Sequence, residues 1–150
     1  MVALKKHLPP ENIALSLMAE AKEGIIEELL NLMIQCHPTI NKSVALKDLL
    51  EREAKMSTGI EQGVAIPHCK TTAVEELYAV LTVSKEGRDF QSLDGQPSHI
   101  FVMMLSPKKK IGPHIEFLAT ISQALKKKTT REKIILAPTP SEVCSLIYDF

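Results

Sequence analysis

Two of the five histidines stand where an imidazole ring can handle an anion. His68 closes the apolar run Val64–Pro67, so we expect it at the end of a short strand, on a rigid backbone. His114 follows Gly112 and Pro113, which predict the first turn of a helix. The amide N–H groups at a helix N-terminus favour an anion and keep a nearby histidine neutral.

If the two rings meet, they form a site for a phosphoryl group. One neutral imidazole attacks phosphorus, since the neutral form dominates near pH 7 and is nucleophilic, while the other holds a phosphoryl oxygen. Phosphoryl transfer also needs charge stabilisation, which an arginine supplies through two parallel hydrogen bonds. Arg52, at the end of a predicted helix before the loop Ser57–Gly63, is the candidate. Taken singly, His68 is also compatible with a loop histidine, His114 with a helix cap and Arg52 with a surface charge.

Other chemistry fits the same residues less well. Cys36-His37 and His68-Cys69 combine zinc-ligand types, but neither pair has the spacing that zinc sites use. Cys69 as a nucleophile with His114 as its base lacks an acidic partner, and an inert buried thiol is the commoner case. The sequence contains no glycine-rich phosphate-binding loop. It therefore predicts no metal, no cofactor and no direct nucleotide binding.

Length and composition describe an ordinary globular chain. Its 150 residues are the usual size of one domain, so we expect a single domain over residues 1–150. Eighteen basic and eighteen acidic residues cancel, which predicts no general attraction to nucleic acid or to a membrane. The three cysteines are widely separated, which favours a reducing compartment. No apolar signal segment follows Met1–Leu8, and no apolar run is long enough to span a membrane, so we expect a cytoplasmic location. The lysine runs Lys108–Lys110 and Lys126–Lys128 are interpreted as solvated helix ends and loops.

Apolar periodicity predicts an α/β sandwich with helices covering a sheet of four or five strands. Ser43 is expected to cap the helix Val44–Lys55, and capping boxes are expected at Thr129 with Glu132 and at Thr139 with Glu142. The continuous apolar run Ile100–Leu105 predicts a central strand covered on both faces. The other predicted elements are a helix over Ala19–Cys36 and strands at Asn12–Leu17, Val64–Ile66 and Leu77–Val83.

The segment Met56–His68, with a Ser-Thr-Gly loop before Val-Ala-Ile-Pro-His, resembles the active-site signature of enzyme IIA of the fructose/mannitol class. That family belongs to the bacterial phosphoenolpyruvate-dependent sugar phosphotransferase system and includes a nitrogen-regulatory branch. Glu51–Glu53, Asp94–Pro97 and His114–Leu118 are also similar to family segments. The resemblance extends from about Val44 to the C-terminus and implies a mixed sheet flanked by helices on both faces.

The resemblance implies a role for each candidate residue. His68 matches the histidine that is phosphorylated on Nε2, His114 the histidine that hydrogen-bonds the phosphoryl group, and Arg52 the arginine that stabilises charge. The implied activity is a phosphotransferase that takes phosphate from the carrier HPr, or its nitrogen-branch relative, and passes it to a cysteine of enzyme IIB. Because the chain stops at Phe150, we expect enzyme IIB on a separate chain. Two alternatives stay open: a phosphorylation-dependent switch that binds a regulated protein, and a family member that only binds.

Three residues depart from the family pattern. Glu61 stands where a small residue is usual, and would either weaken an anion site or point to solvent. Cys69 replaces the commoner glycine after the active histidine. His99 replaces an aliphatic residue at the start of the central strand, and is expected near the edge of that strand.

Overall fold

The computed structural model describes residues 3–150, so Met1 and Val2 of the N-terminal arm lie outside the described residues. The described residues form six helices, five strands and one 3-10 turn at Pro10–Asn12, with β2 to β5 consecutive and followed by the last three helices. The helices are α1 (Leu4–His7), α2 (Lys22–Cys36), α3 (Lys42–Lys55), α4 (Ile111–Ala124), α5 (Lys128–Leu136) and α6 (Pro140–Tyr148). The strands are β1 (Ile13–Ala14), β2 (Val64–Ala65), β3 (His68–Thr71), β4 (Tyr78–Arg88) and β5 (Ser98–Pro107).

The five strands form one mixed sheet, which confirms the predicted fold class. β4 and β5 pair antiparallel at its centre, and β1 pairs parallel with β4. β2 and β3 follow one another along the other side of β5, both parallel to it. This arrangement places β3, and therefore His68, at an edge of the sheet.

Helices cover both faces of the sheet, as predicted. One apolar core lies between the sheet and α2 with α3, around residues such as Leu29, Met33 and Phe101. A second lies on the opposite face, where α4, α5 and α6 pack through residues such as Phe117 and Ile147. Side chains of β5 alternate between the two cores, which explains why its sequence is apolar at consecutive positions.

Several predicted element boundaries were wrong, and local polar contacts explain two of them. The helix expected from Ala19 begins only at Lys22, because the Glu28 carboxylate accepts the backbone N–H groups of Met18 and Ala19 and holds them extended. Asn41, not Ser43, caps α3 by accepting the N–H of Val44 at 3.2 Å.

Further differences concern short elements and the later helices. The strand expected over Asn12–Leu17 is limited to Ile13–Ala14. The capping box at Thr129 does not form, since α5 already begins at Lys128 and has no side-chain cap. Thr139 does cap α6 by accepting the N–H of Glu142, as predicted.

A buried polar network fixes the loop between α3 and β2. The Glu53 carboxylate, near the end of α3, accepts the N–H of Thr58 at 2.8 Å and its hydroxyl at 2.6 Å. It also pairs with the Lys22 ammonium at 2.7 Å. Ile66 then donates its N–H to the Thr58 carbonyl at 2.9 Å. The network thus connects the end of α3, which carries Arg52, to the backbone that leads into His68.

Removing the Glu53 side chain is expected to destabilise the fold by about 3 kcal/mol, because Lys22 and Thr58 then lose their buried partner. The matched control is Glu132→Ala, which removes an exposed helical partner of Lys128 at 3.9 Å and is expected to cost under about 1 kcal/mol. Urea unfolding of Glu53→Ala and Glu132→Ala measures both free energies. Equal losses in the two variants would show that the Glu53 network does not stabilise the loop.

Candidate functional site

His68 is the first residue of β3, where the chain pairs with β5 for a second time after β2. The sequence predicted that His68 ends the preceding strand, and this prediction was wrong. β2 stops at Ala65, and Ile66 with Pro67 leads into β3. The Pro67 carbonyl accepts the N–H of Met104 at 3.0 Å, and His68 lies in register with Met104. Pairing with β5 therefore holds the backbone at both Pro67 and His68.

The ring of His68 has a defined tautomer. Its Nδ1 lies 2.6 Å from the carbonyl oxygen of Ile66. Because a carbonyl oxygen can only accept, Nδ1 must carry the proton, and Nε2 of the neutral ring keeps its lone pair. Burial lowers the pKa of His68 below its usual value, the Ile66 hydrogen bond opposes this, and the charge of Arg52 adds to it. Near neutral pH the ring is thus a neutral base with Nε2 free to attack.

His114 lies in the first turn of α4, beside His68. The ring centroids are 5.6 Å apart and the ring planes meet at 61°. His114 is almost fully buried, and burial lowers its pKa to about 4, with further lowering from His68 when that ring is protonated and from the positive charges of Lys70 and Arg52. A pKa this low keeps the ring neutral at neutral pH, and burial is its largest cause.

Ser106 determines the tautomer of His114. The Ser106 hydroxyl is buried in β5 and forms a short hydrogen bond with His114 Nδ1. Among residues 3–150 this nitrogen is the only partner of the hydroxyl, so a donated O–H leaves no buried polar hydrogen unpaired. The proton of the neutral His114 ring then sits on Nε2. The two rings therefore present opposite atoms: a lone pair on His68 Nε2 and a donor on His114 Nε2.

Sequence reasoning missed Ser106, because it lies inside an apolar strand and is eight residues before its partner. The signal available was a single hydroxyl residue directly after the apolar run Ile100–Leu105. Such a residue is buried at a cost unless it finds a partner, and the next predicted helix carries His114, whose ring can form a hydrogen bond.

Arg52 completes a cleft of about 380 Å³ at the edge of the sheet. The guanidinium donates to the Met56 carbonyl at 3.0 Å, which holds it at the C-terminal end of α3. The structure thus brings His68, His114 and Arg52 into one cleft. The other side chains that line it are Asp48, Glu51, Lys55, Cys69, Lys70 and Lys108.

Asp48 connects two walls of this cleft. Its carboxylate, one helical turn before Arg52 on α3, accepts the hydroxyl of Thr71 at 2.7 Å. Thr71 is the last residue of β3, the strand that begins with His68. The hydrogen bond therefore fixes the helix that carries the arginine against the strand that carries the histidine.

A larger cavity, of about 760 Å³, lies next to this cleft and is lined by side chains such as His7, Cys36 and Tyr78. The His37 ring stacks on Tyr78 with centroids 3.8 Å apart. The cavity contains neither His68 nor Arg52. Although it is larger than the His68 cleft, it lacks the pair of facing imidazole rings and the arginine, so we place the chemistry in the smaller cleft.

The alternative chemistries lack the groups they need. Cys69 is buried on the α3 side of β3, and burial raises the pKa of its thiol to about 12, so a thiolate nucleophile is not available near neutral pH. Within residues 3–150, no three His, Cys, Asp or Glu side chains lie close enough together to hold a metal ion. Neither the Cys36-His37 pair nor the His68-Cys69 pair gains a third ligand.

The remaining departures from the family pattern lie outside the cleft. Glu61 is exposed and does not line it. His99 is half-buried near the start of β5, where its Nδ1 donates to the Ser84 carbonyl at 3.0 Å. Gly87 packs against this ring so closely that a Cβ there would lie 2.9 Å from it, and its φ of +86° also requires glycine.

Residues 6–150 match the family described as the phosphoenolpyruvate-dependent sugar phosphotransferase system, EIIA 2. The chain belongs to this enzyme IIA family. A fructose-specific EIIA component of Haloferax volcanii is 36% identical over 135 residues, which cover 90% of this chain and 88% of that protein. A nitrogen regulatory protein of Pseudomonas aeruginosa is 26% identical over 149 residues, covering 99% and 97%.

Solved structures support the same assignment of this enzyme IIA. The nitrogen regulatory protein IIA-Ntr of Neisseria meningitidis superposes with a TM-score of 0.88 at 26% identity, covering 96% of this chain and 98% of that one. Relatives therefore come from both the sugar branch and the nitrogen-regulatory branch of the family. Among the described residues, none of the helices has the length and apolar character needed to cross a membrane.

Proposed function

We propose that this enzyme IIA accepts a phosphoryl group from an HPr-type phosphohistidine on Nε2 of His68 and passes it to a cysteine of an enzyme IIB. The observation that carries the proposal is that Nδ1 of each ring is hydrogen-bonded, in His68 to the Ile66 carbonyl and in His114 to the Ser106 hydroxyl, while the two rings face each other in one cleft. These bonds favour a lone pair on His68 Nε2 beside a donor on His114 Nε2. The single sheet shared by both cores supports one domain over residues 1–150, and the three free cysteines support a reducing, cytoplasmic location.

In the forward step the Nε2 lone pair of His68 attacks phosphorus, and the P–N bond to the carrier histidine breaks. The bonding electrons return to the carrier imidazole. His114 donates its Nε2–H to a phosphoryl oxygen, and Arg52 balances the negative charge of the transferring group. In the second step an enzyme IIB thiolate attacks the same phosphorus, and His68 leaves as neutral imidazole. Ile66, by holding the proton on Nδ1, prepares Nε2 for both steps.

The assay is incubation with phosphoenolpyruvate, enzyme I and a phosphocarrier, followed by addition of enzyme IIB. We expect one acid-labile, alkali-stable phosphate per chain that moves to enzyme IIB. Sugar-branch and nitrogen-branch carriers are compared in parallel, because relatives of both branches match the chain. A chain that neither carrier labels contradicts the proposal.

Ser106→Val is expected to slow phosphorylation about five- to tenfold, the value of one lost hydrogen bond. Without the hydroxyl, His114 is free to place its proton on Nδ1, and Nε2 then loses its donor. Ser106→Thr has the same shape as Ser106→Val and keeps the hydroxyl, so it is expected to retain most of the rate. Imidazole ¹⁵N spectra report the His114 tautomer directly. A wild-type proton on Nδ1, or equal rates in the two variants, would contradict this role for Ser106.

A second candidate function is a regulatory switch, which the nitrogen-regulatory relatives favour. Phosphorylation of His68 adds negative charge to a positively charged cleft and so changes which protein binds there. Capture of host proteins on the phosphorylated chain and on the unphosphorylated chain tests this candidate. A partner that is retained by only one of the two forms supports it, and identical sets of retained proteins contradict it.

A further inference from the structure

Glu53 is a buried carboxylate next to Arg52 in sequence, but it does not line the His68 cleft. The residue is only 7% exposed, and its charge is paired with the ammonium of Lys22. A buried ion pair often stabilises a protein no better than apolar side chains of the same volume. Stability alone is therefore a weak reason for a charge at this position, and the partners of the carboxylate indicate a second role.

The hydrogen bonds of Glu53 lead to the ring of His68. The carboxylate binds Thr58 through both its N–H and its hydroxyl, at 2.8 and 2.6 Å, and the Thr58 carbonyl accepts the N–H of Ile66 at 2.9 Å. Ile66 lies between β2 and β3, so this bond holds a residue that belongs to neither strand. Its own carbonyl accepts the Nδ1 proton of His68. The orientation of the acceptor for that proton thus depends on Thr58 and Glu53.

The charge of Glu53 acts on the same ring. Once Nε2 is bonded to phosphorus and Nδ1 keeps its proton, the His68 ring is an imidazolium with a positive charge. Burial is the largest influence on the pKa of His68 and lowers it, while the Ile66 hydrogen bond raises it. The charge of Arg52 lowers this pKa further, and the carboxylate of Glu53 raises it. A charge that favours the protonated ring also favours the phosphorylated ring, because both are imidazolium ions.

We propose that Glu53 is a positioning residue for phosphoryl transfer, which holds the Ile66 carbonyl against the Nδ1 proton of His68 and stabilises the positive charge that the ring gains. This inference rests on the proposed function and identifies a further residue of the same reaction. As the Nε2–P bond forms, the P–N bond of the phosphoryl donor breaks, its electron pair stays with that donor, and Nδ1 keeps its proton on the Ile66 carbonyl. Lys22 adjusts the effect, because its ammonium at 2.7 Å neutralises part of the Glu53 charge.

Two variants separate the charge of Glu53 from its hydrogen bonds. Glu53→Gln has the same shape and can still accept the N–H of Thr58, but it carries no charge. Thr58→Val keeps the charge and loses the hydroxyl that the carboxylate binds. The matched control is Glu27→Gln, which removes an exposed carboxylate whose lysine partner, Lys42, lies at 3.5 Å. Urea unfolding gives the folded fraction of each variant, and all rates are compared per folded chain.

The rate of His68 phosphorylation is measured with the phosphorylated HPr-type carrier and with phosphoramidate, a small-molecule phosphoryl donor that needs no docking protein. Imidazole ¹⁵N and ¹H spectra over a pH series give the pKa of His68 and the position of its proton. We expect Glu53→Gln to lower this pKa and to slow labelling by both donors about tenfold, because the ring loses its supporting charge and its fixed orientation. Thr58→Val is expected to slow labelling by both donors with little change in the pKa, and Glu27→Gln to match the parent chain.

A pKa of His68 that is unchanged in Glu53→Gln, or a rate per folded chain equal to that of the parent, overturns the role of Glu53 and leaves the proposed function intact. Failure of both donors to label His68 in the parent chain overturns the proposed function itself. If Glu53→Gln does not fold, Lys22→Gln decides, because it keeps a hydrogen-bond donor to the carboxylate and removes the neutralising charge. We expect Lys22→Gln to raise the pKa of His68, and an unchanged or lower pKa overturns the proposal.

Discussion

Replacing His68 with glutamine is expected to abolish phosphorylation by the carrier completely. Glutamine has no nucleophilic nitrogen, because its amide lone pair is delocalised, so no covalent phosphoryl adduct can form. His68 is half-buried at the start of a strand, and its side chain forms a hydrogen bond to a backbone carbonyl, so the fold should tolerate the change. Intact-mass measurement after incubation with phosphoenolpyruvate, enzyme I and carrier shows the presence or absence of the added phosphoryl group.

The matched control for His68→Gln is His37→Gln. His37 is also a partly buried histidine, but it stacks on Tyr78 and lies in the neighbouring cavity. This variant should be phosphorylated at the parental rate. A His68→Gln chain that still acquires alkali-stable phosphate would place the acceptor elsewhere and remove the basis of the proposed function.

Replacing His114 with alanine is expected to slow transfer to His68 by about 10²- to 10³-fold, the usual cost of losing one preorganised donor to a developing charge. The nucleophile remains, so phosphorylation should be slowed and not abolished. Rapid-quench measurement of the single-turnover rate gives the size of the effect. The affinity for the carrier should change much less, since the carrier has to reach the exposed face of the cleft and not the buried ring.

The comparison variant for His114→Ala is His114→Gln, whose side-chain amide can still donate. It should recover part of the lost rate, provided that the amide nitrogen takes the place of the ring Nε2–H. If both variants transfer phosphate at the parental rate, His114 does not touch the phosphoryl group, and its neutral, buried ring is only part of the packing.

Local sequence signals predicted the parts of the site that depend on backbone direction. Gly112 and Pro113 indicated the turn that presents His114, and the apolar run before Pro67 indicated the strand β2 that precedes His68. The apolar run of β5 identified the central strand and its two covered faces. Each of these signals acts over a few residues, which is the range in which spacing and residue type determine conformation.

Contacts between distant segments were not predictable in the same way. The chain re-enters the sheet at His68 because β3 pairs with β5, more than thirty residues further on, and no local pattern encodes that pairing. The ion pair of Lys22 with Glu53 likewise joins two helices that lie far apart in sequence. The hydrogen bond between Ser106 and His114 depends on how α4 packs against β5. These contacts come from tertiary packing, which a single sequence does not display.

The hydrogen bonds that fix the tautomers of His68 and His114 differ in how easily a mutation can remove them. The acceptor that holds His68 is the main-chain carbonyl of Ile66, and every amino acid that replaces Ile66 brings a carbonyl of its own. The partner that holds His114 is the side chain of Ser106, which a single substitution can delete. Random mutagenesis should therefore leave the proton on Nδ1 of His68 in most folded variants. A single substitution of Ser106, in contrast, can change which nitrogen of His114 carries the proton. Natural variation in transfer rate among close relatives of this chain is expected to concentrate at position 106 before it reaches position 66.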